Sequence, residues 1–229
     1  DFLTLTETCC QIDLIKLFKG GFCTGHGFLR EPNDIASYSA LAAIAIQSNQ
    51  NDQHGGQSIP NFEYAMAIGV AKSYKKIYKK NLIKALDIYE VENAEEVANN
   101  ITETLSKQDL VPALEKDEYV IAEAKELAKI GINDALIKKI QRFTKKYSEQ
   151  EIDRATYQSM EAFVHNLNTM HSRAGAQIPF SSINYGTDTT PEGRLVIKNI
   201  LLATDAGLGN GETAIFPIHI FKVKEGVNY

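Results

Sequence analysis

The sequence predicts an α/β chain built on a parallel sheet or barrel, with a helix-rich middle. Toward its C-terminal side a strand-like segment, a helix and an apolar strand succeed one another at βαβ spacing, and parallel neighbours need such a crossover. The chain opens on a strand-like alternation, while residues 87–168 are charge-rich and helical in period. At 229 residues and 44% hydrophobic content it can bury a substantial core as one large domain or two small ones.

Taken in order, residues 1 to about 15 read as a strand, with Phe2, Leu3, Leu5, Ile12 and Leu14 around two thiols and Thr4, Thr6 and Thr8 on alternate positions. Gly20-Gly21-Phe22-Cys23-Thr24-Gly25-His26-Gly27 is a glycine-rich turn that could cradle an anion, but it lacks the lysine and hydroxyl residue of a phosphate loop. Pro32-Asn33-Asp34 then opens a helix running from Ile35 to about Asn49, with Asn33 or Asp34 as N-cap.

Directly behind its apolar body lies a dense polar run, residues 47–61, holding Gln47, Asn49, Gln50, Asn51, Gln53, Gln57 and Asn61 without a lysine or arginine. Such a run makes many hydrogen bonds and carries little charge, which suits a polar ligand. Gly55 and Gly56 can take positive φ and admit close backbone approach. The same pair also suits a turn that simply ends the helix.

A second helix is expected from about Phe62 to Leu86, with Met66, Val70, Tyr74, Ile77 and Tyr78 as its apolar stripe. In the charged middle Val97, Ile101, Leu105, Ile132, Leu136, Ile140 and Phe143 keep helical spacing, and such stripes are core far more often than cofactor contacts. Residues 173–189 read as a strand ending in small polar residues. Pro191 then starts a helix that stops at Gly207 or Gly209, and residues 214–223 read as a buried strand.

The formal net charge of −5 argues against non-specific nucleic-acid binding, which needs a basic field to displace counterions. Lysine clusters around residues 72–80 and 138–146 fall in helical patterns and read as solvated faces. No run of about 18 apolar residues is present, so no membrane-spanning helix is expected, and without a recognisable leader the chain reads as cytoplasmic. It begins at Asp1 rather than methionine and stops just after a β-rich run, so it is expected to be a piece of a longer polypeptide. Cys9, Cys10 and Cys23 make neither a disulfide framework nor a four-thiolate metal site. The histidines are too scattered for a metal site, and the carboxylates show no acid-base pairing.

Four blocks in order, Thr8-Cys9-Cys10-Gln11-Ile12-Asp13-Leu14, the run from Gln50 to Gly56, residues 175–189, and Ile215-Phe216-Pro217-Ile218 leading to Glu225-Gly226-Val227-Asn228, resemble the anaerobic class III ribonucleoside-triphosphate reductases. The resemblance implies a ten-stranded α/β barrel, of which this chain would hold about the first half as part of one catalytic domain spanning residues 1–229. It implies anaerobic reduction of a ribonucleotide by glycyl and thiyl radicals, in a homodimer activated by a radical-SAM enzyme, with formate as reductant and ATP or deoxynucleotides as effectors. The ATP-binding regulatory domain, the thiyl loop, the glycyl-radical segment and the zinc site of the family would all lie outside this chain. Neither nucleic acid nor membrane is an expected partner.

The family's reducing cysteine maps onto the Cys9-Cys10 pair. Adjacent strand residues face opposite sides, so only one can enter a barrel lumen. Cys10 is taken as that thiol, with Cys9 as the alternative. Thr8, Gln53, His54, Gly55 and Gly56 are implied to face the substrate. Two rivals stand beside this reading: another glycyl-radical enzyme of the pyruvate formate-lyase type, and a non-catalytic nucleotide-binding or dimerisation module.

Overall fold

The computed structural model describes residues 9–53, 55–171 and 175–229. The strand expected over residues 1–15 therefore lies partly outside the described residues. Within them it is short: β1 is Cys10–Gln11, and α1, Leu14–Phe18, takes over because the Asp13 carboxylate accepts from the Ile15 and Lys16 amides at 3.2 and 3.3 Å. Leu14, expected on the strand, is fully buried on this helix.

The glycine-rich turn builds a hairpin, β2 (Phe22–Cys23) against β3 (Phe28–Leu29). Gly21 has φ +86°, and a Cβ there would run into the Leu29 carbonyl and the Phe28 ring, so its glycine serves the hairpin. Next comes α2, Ile35–Asp52, started by Asp34, whose carboxylate accepts from the Ser37 amide at 2.8 Å. Its last turns absorb the front of the polar run, and the tail of that run forms a strand, β4 (Gln57–Ile59), where a loop was expected.

Helices α3 (Phe62–Ile88), α4 (Ala94–Ser106), α5 (Glu118–Lys129) and α6 (Asp134–Thr169) fill the middle. Strand β5 (Ser181–Tyr185) follows, then α7 (Pro191–Ala206), where Thr190 caps the Gly193 amide at 3.1 Å and Pro191 occupies the first turn. The last strand is β6, Ile218–Phe221. Among the described residues β1, β4, β5 and β6 make one parallel sheet in chain order, each joined to the next by a helical connection. The chain is thus an α/β fold with a parallel sheet.

It divides into two compact units, one taking residues up to Val70 and from Ala155, the other Ala71–Arg154. In the first, α2 lies close against the start of α3, where a Cβ on Gly69 would touch the Tyr38 ring at 3.0 Å. Ser39 Oγ donates to the Ser159 carbonyl of α6 at 2.6 Å, and Phe62 packs on Phe163 with ring centroids 5.2 Å apart. The sheet buries Ile59, Ile183 and Tyr185 against this helical layer. β6 departs from the buried strand expected: Ile218 and Ile220 are each 42% exposed, because they stand on the sheet's other face, at its edge.

The second unit is helical. Tyr78, Leu82, Leu86, Ile101, Leu105, Leu127 and Ile140 form its core, and Lys80 and Lys84 reach Glu151 at 3.6 and 3.3 Å on its surface. Inside it the Glu123 carboxylate takes hydrogen bonds from Tyr78 and Gln141, both at 3.2 Å. Burial pushes Glu123 up to about 7. None of the helices, among the described residues, is long and apolar enough to cross a membrane.

Candidate functional site

Register divides the sheet's side chains into two sets. Cys10, Gln57 and Ser181 stand opposite one another, and Gln57 and Ser181 are each 1% exposed on the face toward α2. Asn49 of α2 donates to the Gln57 side-chain oxygen. Ile12, two residues beyond Cys10, is buried on this covered face. The other set, Gln11, Ser58, Ser182, Asn184, Ile218 and Ile220, occupies the open face. Ser58 Oγ donates to Asn184 Oδ1 there, at 3.3 Å. Parallel sheets usually carry aliphatic residues on both faces. A row of Gln, Ser, Ser and Asn is the chemistry of a wet surface able to hydrogen-bond a polar ligand.

At the amino ends of β1, β4 and β5 lies a cleft of about 340 Å3, lined by Cys9, Cys10, Gln11, Gly56, Gln57, Ser58, Phe180, Ser181 and Ser182. Cys10, its alternative Cys9 and the substrate-side Gly56 of the sequence reading are therefore brought to one cleft. The Gly56 carbonyl accepts from the Cys10 amide at 3.0 Å, and a Cβ on Gly56 would touch the Phe180 ring at 3.3 Å. That ring packs edge-on to Phe216 at 5.2 Å. Phe216 is held by Asn168, which donates to its carbonyl at 2.6 Å and accepts from its amide at 3.1 Å.

Cys10 and Cys9 differ in their surroundings. The register of Cys10 with Gln57 and Ser181 turns it toward α2, while alternation gives Cys9, which is exposed, the opposite side. Cys10 also lines a second cleft, of about 610 Å3, with Asp13, Cys23, Ser48, Asn49 and Asp52. Gln53 caps α2, its side-chain oxygen accepting from Asn49 Nδ2 at 3.1 Å. Gly55 has φ +91° and its carbonyl accepts from Gln57 Nε2 at 3.5 Å. Thr8 and His54 lie outside the described residues.

Several polar residues around the sheet were not among the expected site residues. Ser182 and Asn184 alternate with Ile183 and Tyr185, a period-2 signal that marks one wet and one buried face. Asn61 donates to Asp13 at 2.9 Å, and this bond, with the backbone bonds of α1, holds the Asp13 carboxyl below its ordinary value despite some burial. His219 sits between Tyr185 Oη and Thr204 Oγ1, each at 3.1 Å, on the covered face, and burial lowers its affinity for a proton. No cluster of metal-ligating side chains occurs among the described residues.

A family model described as anaerobic ribonucleoside-triphosphate reductase matches residues 1–229. The chain belongs to that family. Among proteins of the same name it is 26% identical over 221 residues to that of Enterobacteria phage T4, 24% over 222 residues to that of Salmonella typhimurium and 25% over 222 residues to that of Escherichia coli. Each match takes in 96% of this chain, but 27% of the phage reductase and 23% of each bacterial one. The chain thus spans about a quarter of the length of the reductases it matches.

Proposed function

We propose that these residues serve, within a longer catalytic polypeptide, the anaerobic reduction of ribonucleoside triphosphates to deoxyribonucleoside triphosphates, and that the open face of the sheet is a wall of the nucleotide site. One observation carries the reading. The uncovered face of this parallel sheet bears Gln11, Ser58, Ser182 and Asn184 where aliphatic residues would be usual, beside a cysteine pair at its edge. The family match favours the reductase over a pyruvate formate-lyase relative.

In this reading the four strands belong to a ten-stranded barrel. Radical chemistry is supplied by a glycyl radical carried outside this chain and installed by a radical-SAM activating enzyme. The chain's own part is to orient the ribose, exclude water and present a thiol. The 2′ hydroxyl leaves as water while the first-strand thiol assists at the 2′ carbon, and formate, oxidised to carbon dioxide, supplies two electrons. The register supports Cys9 as the presented thiol, with Cys10 behind it against α2. Gly55 and Gly56 bring backbone close to the nucleotide, with Thr8, Gln53 and His54 on the same segments. A cytoplasmic homodimer regulated by ATP and deoxynucleotides completes the proposal.

The test is direct: the complete polypeptide, activated anaerobically, is given a ribonucleoside triphosphate and formate. Deoxyribonucleoside triphosphate is expected. An activated enzyme that binds nucleotide and forms none contradicts the reading.

A further inference from the structure

At the carboxyl ends of β4, β5 and β6 one buried carboxylate gathers three separate turns. Glu63, in the first turn of α3, is 0% exposed. Its Oε1 accepts from the Thr187 amide at 3.2 Å and from Thr187 Oγ1 at 3.3 Å, and it pairs with Lys222 Nζ at 3.7 Å. Lys222, just past β6, also donates to the Pro60 carbonyl at 3.1 Å, and its ammonium stands 5.6 Å from the centre of the Tyr64 ring. Tyr64 Oη in turn donates to Thr187 Oγ1 at 3.2 Å. The lysine side chain therefore runs from the end of β6 to the end of β4 across the central strand, β5.

The backbone beneath is shaped for that crossing. Gly186, which ends β5, has φ +122°, and a Cβ there would meet the Lys222 carbonyl at 2.8 Å and the Phe221 ring at 2.9 Å. Asn228 donates to the Gly186 carbonyl at 2.6 Å and to the Lys222 carbonyl at 2.9 Å, while its own oxygen accepts from the Lys224 amide at 2.8 Å. Two blocks that were separate in the sequence, around Tyr185-Gly186-Thr187 and Gly226-Val227-Asn228, thus meet as one rim.

A buried carboxylate is costly unless fully bonded, and Glu63 Oε2 is buried without a hydrogen-bond partner. A packed apolar side chain would be a cheaper way to hold three turns together, so the charge itself needs a use. Lys222 supplies one. It follows Ile220 by two residues, which sets it toward the open face, and it is 30% exposed. An ammonium has three donors; one of Lys222's goes to the Pro60 carbonyl, while Glu63 holds it as an ion pair at 3.7 Å.

We propose that Glu63 is a positioning residue that tethers the Lys222 ammonium over the carboxyl end of β5, where its charge and its unused donors meet the anionic part of a nucleotide. The inference rests on the nucleotide reading of the open face. In α/β sheets ligands gather at the carboxyl ends of the strands, and an ammonium on a flexible stem recognises an anion far better when its place is fixed beforehand.

The experiment uses the complete enzyme with Glu63→Gln, Lys222→Met and the double substitution. Glu63→Gln keeps the shape and an oxygen for Thr187 but loses the charge. It should raise KM for the ribonucleoside triphosphate about tenfold, with kcat changed by no more than about twofold. Lys222→Met should do the same, and the double variant should be no worse than the poorer single one. An unchanged KM in Lys222→Met overturns the proposal, as do single effects that multiply in the double variant. If Glu63→Gln fails to fold, Lys222→Met alone decides.

A second measurement reads the tether without turnover: competitive acetylation of the nucleotide-free enzyme, followed by peptide mass spectrometry. Lys222 should react several-fold faster in Glu63→Gln than in the parent, with Lys224 unchanged. Equal Lys222 rates overturn the tether whatever the kinetics. Glu63-dependent protection in an activated enzyme that reduces no ribonucleotide upholds the tether and contradicts the nucleotide reading instead.

Discussion

The open face of the sheet and the core of the helical unit hold polar groups in contrasting settings. In the sheet unit Gln11, Ser58, Ser182 and Asn184 stand on an uncovered face, and the thiols of Cys9 and Cys10 border clefts. In the helical unit Glu123 is hidden in the core among Tyr78, Tyr119 and Gln141, with a buried oxygen that no partner meets. The first arrangement is the one the proposed nucleotide site uses. The second binds a proton inside a helical core, so its consequence is stability. Polar residues alone therefore do not mark a site; the face on which they stand does.

Among changes in stability, the largest is expected from the sheet unit's core. Phe163→Ala removes a fully buried ring that packs on Phe62 and should cost about 3–5 kcal/mol in urea unfolding. A loss below about 1 kcal/mol would show that the layer behind the sheet is loosely packed.

Next comes Glu123, which sharpens the contrast through pH. Its pKa is raised from 4.5 to about 7, first by burial, so the folded chain binds this proton more tightly than the unfolded chain. The stabilisation is complete below about pH 4.5 and is lost as pH rises through about 7. It amounts to about 3 kcal/mol. Glu123→Gln should remove this slope from urea midpoints followed by circular dichroism. A slope that survives the substitution assigns the effect to other groups.

A smaller loss, about 1 kcal/mol, is expected for Thr190→Ala, which removes the cap of α7. Smallest is Lys84→Ala in the helical unit. Its pair with Glu151 is solvent-exposed and should contribute less than about 1 kcal/mol. A larger loss there would mean that the helical unit depends on surface charge as well as on its core.

Local chemistry made much of the fold legible. Asn33-Asp34 and Pro191 announced α2 and α7, and the apolar stripe of α3 appears as buried Met66, Val70, Tyr74 and Tyr78. The βαβ unit formed by β5, α7 and β6 also stood in the sequence. β1 was overdrawn because Asp13 reads equally well as a strand residue until its carboxylate caps α1. β4 was hidden in a run whose composition suits a loop, since Gln57 is buried by its bond with Asn49 and not by being apolar. Which thiol faces which side needed the register with β4, which only the sheet supplies. The Glu63–Lys222 tether joins residues far apart in sequence and left no local pattern.

The most direct test of the open face compares the two adjacent thiols in the complete, anaerobically activated enzyme. Cys9→Ser should lower deoxyribonucleotide formation by at least about 100-fold, while Cys10→Ser, against α2, should keep at least about a tenth of the activity. The reverse order, with Cys10 indispensable and Cys9 dispensable, would contradict the assignment of the nucleotide to the open face.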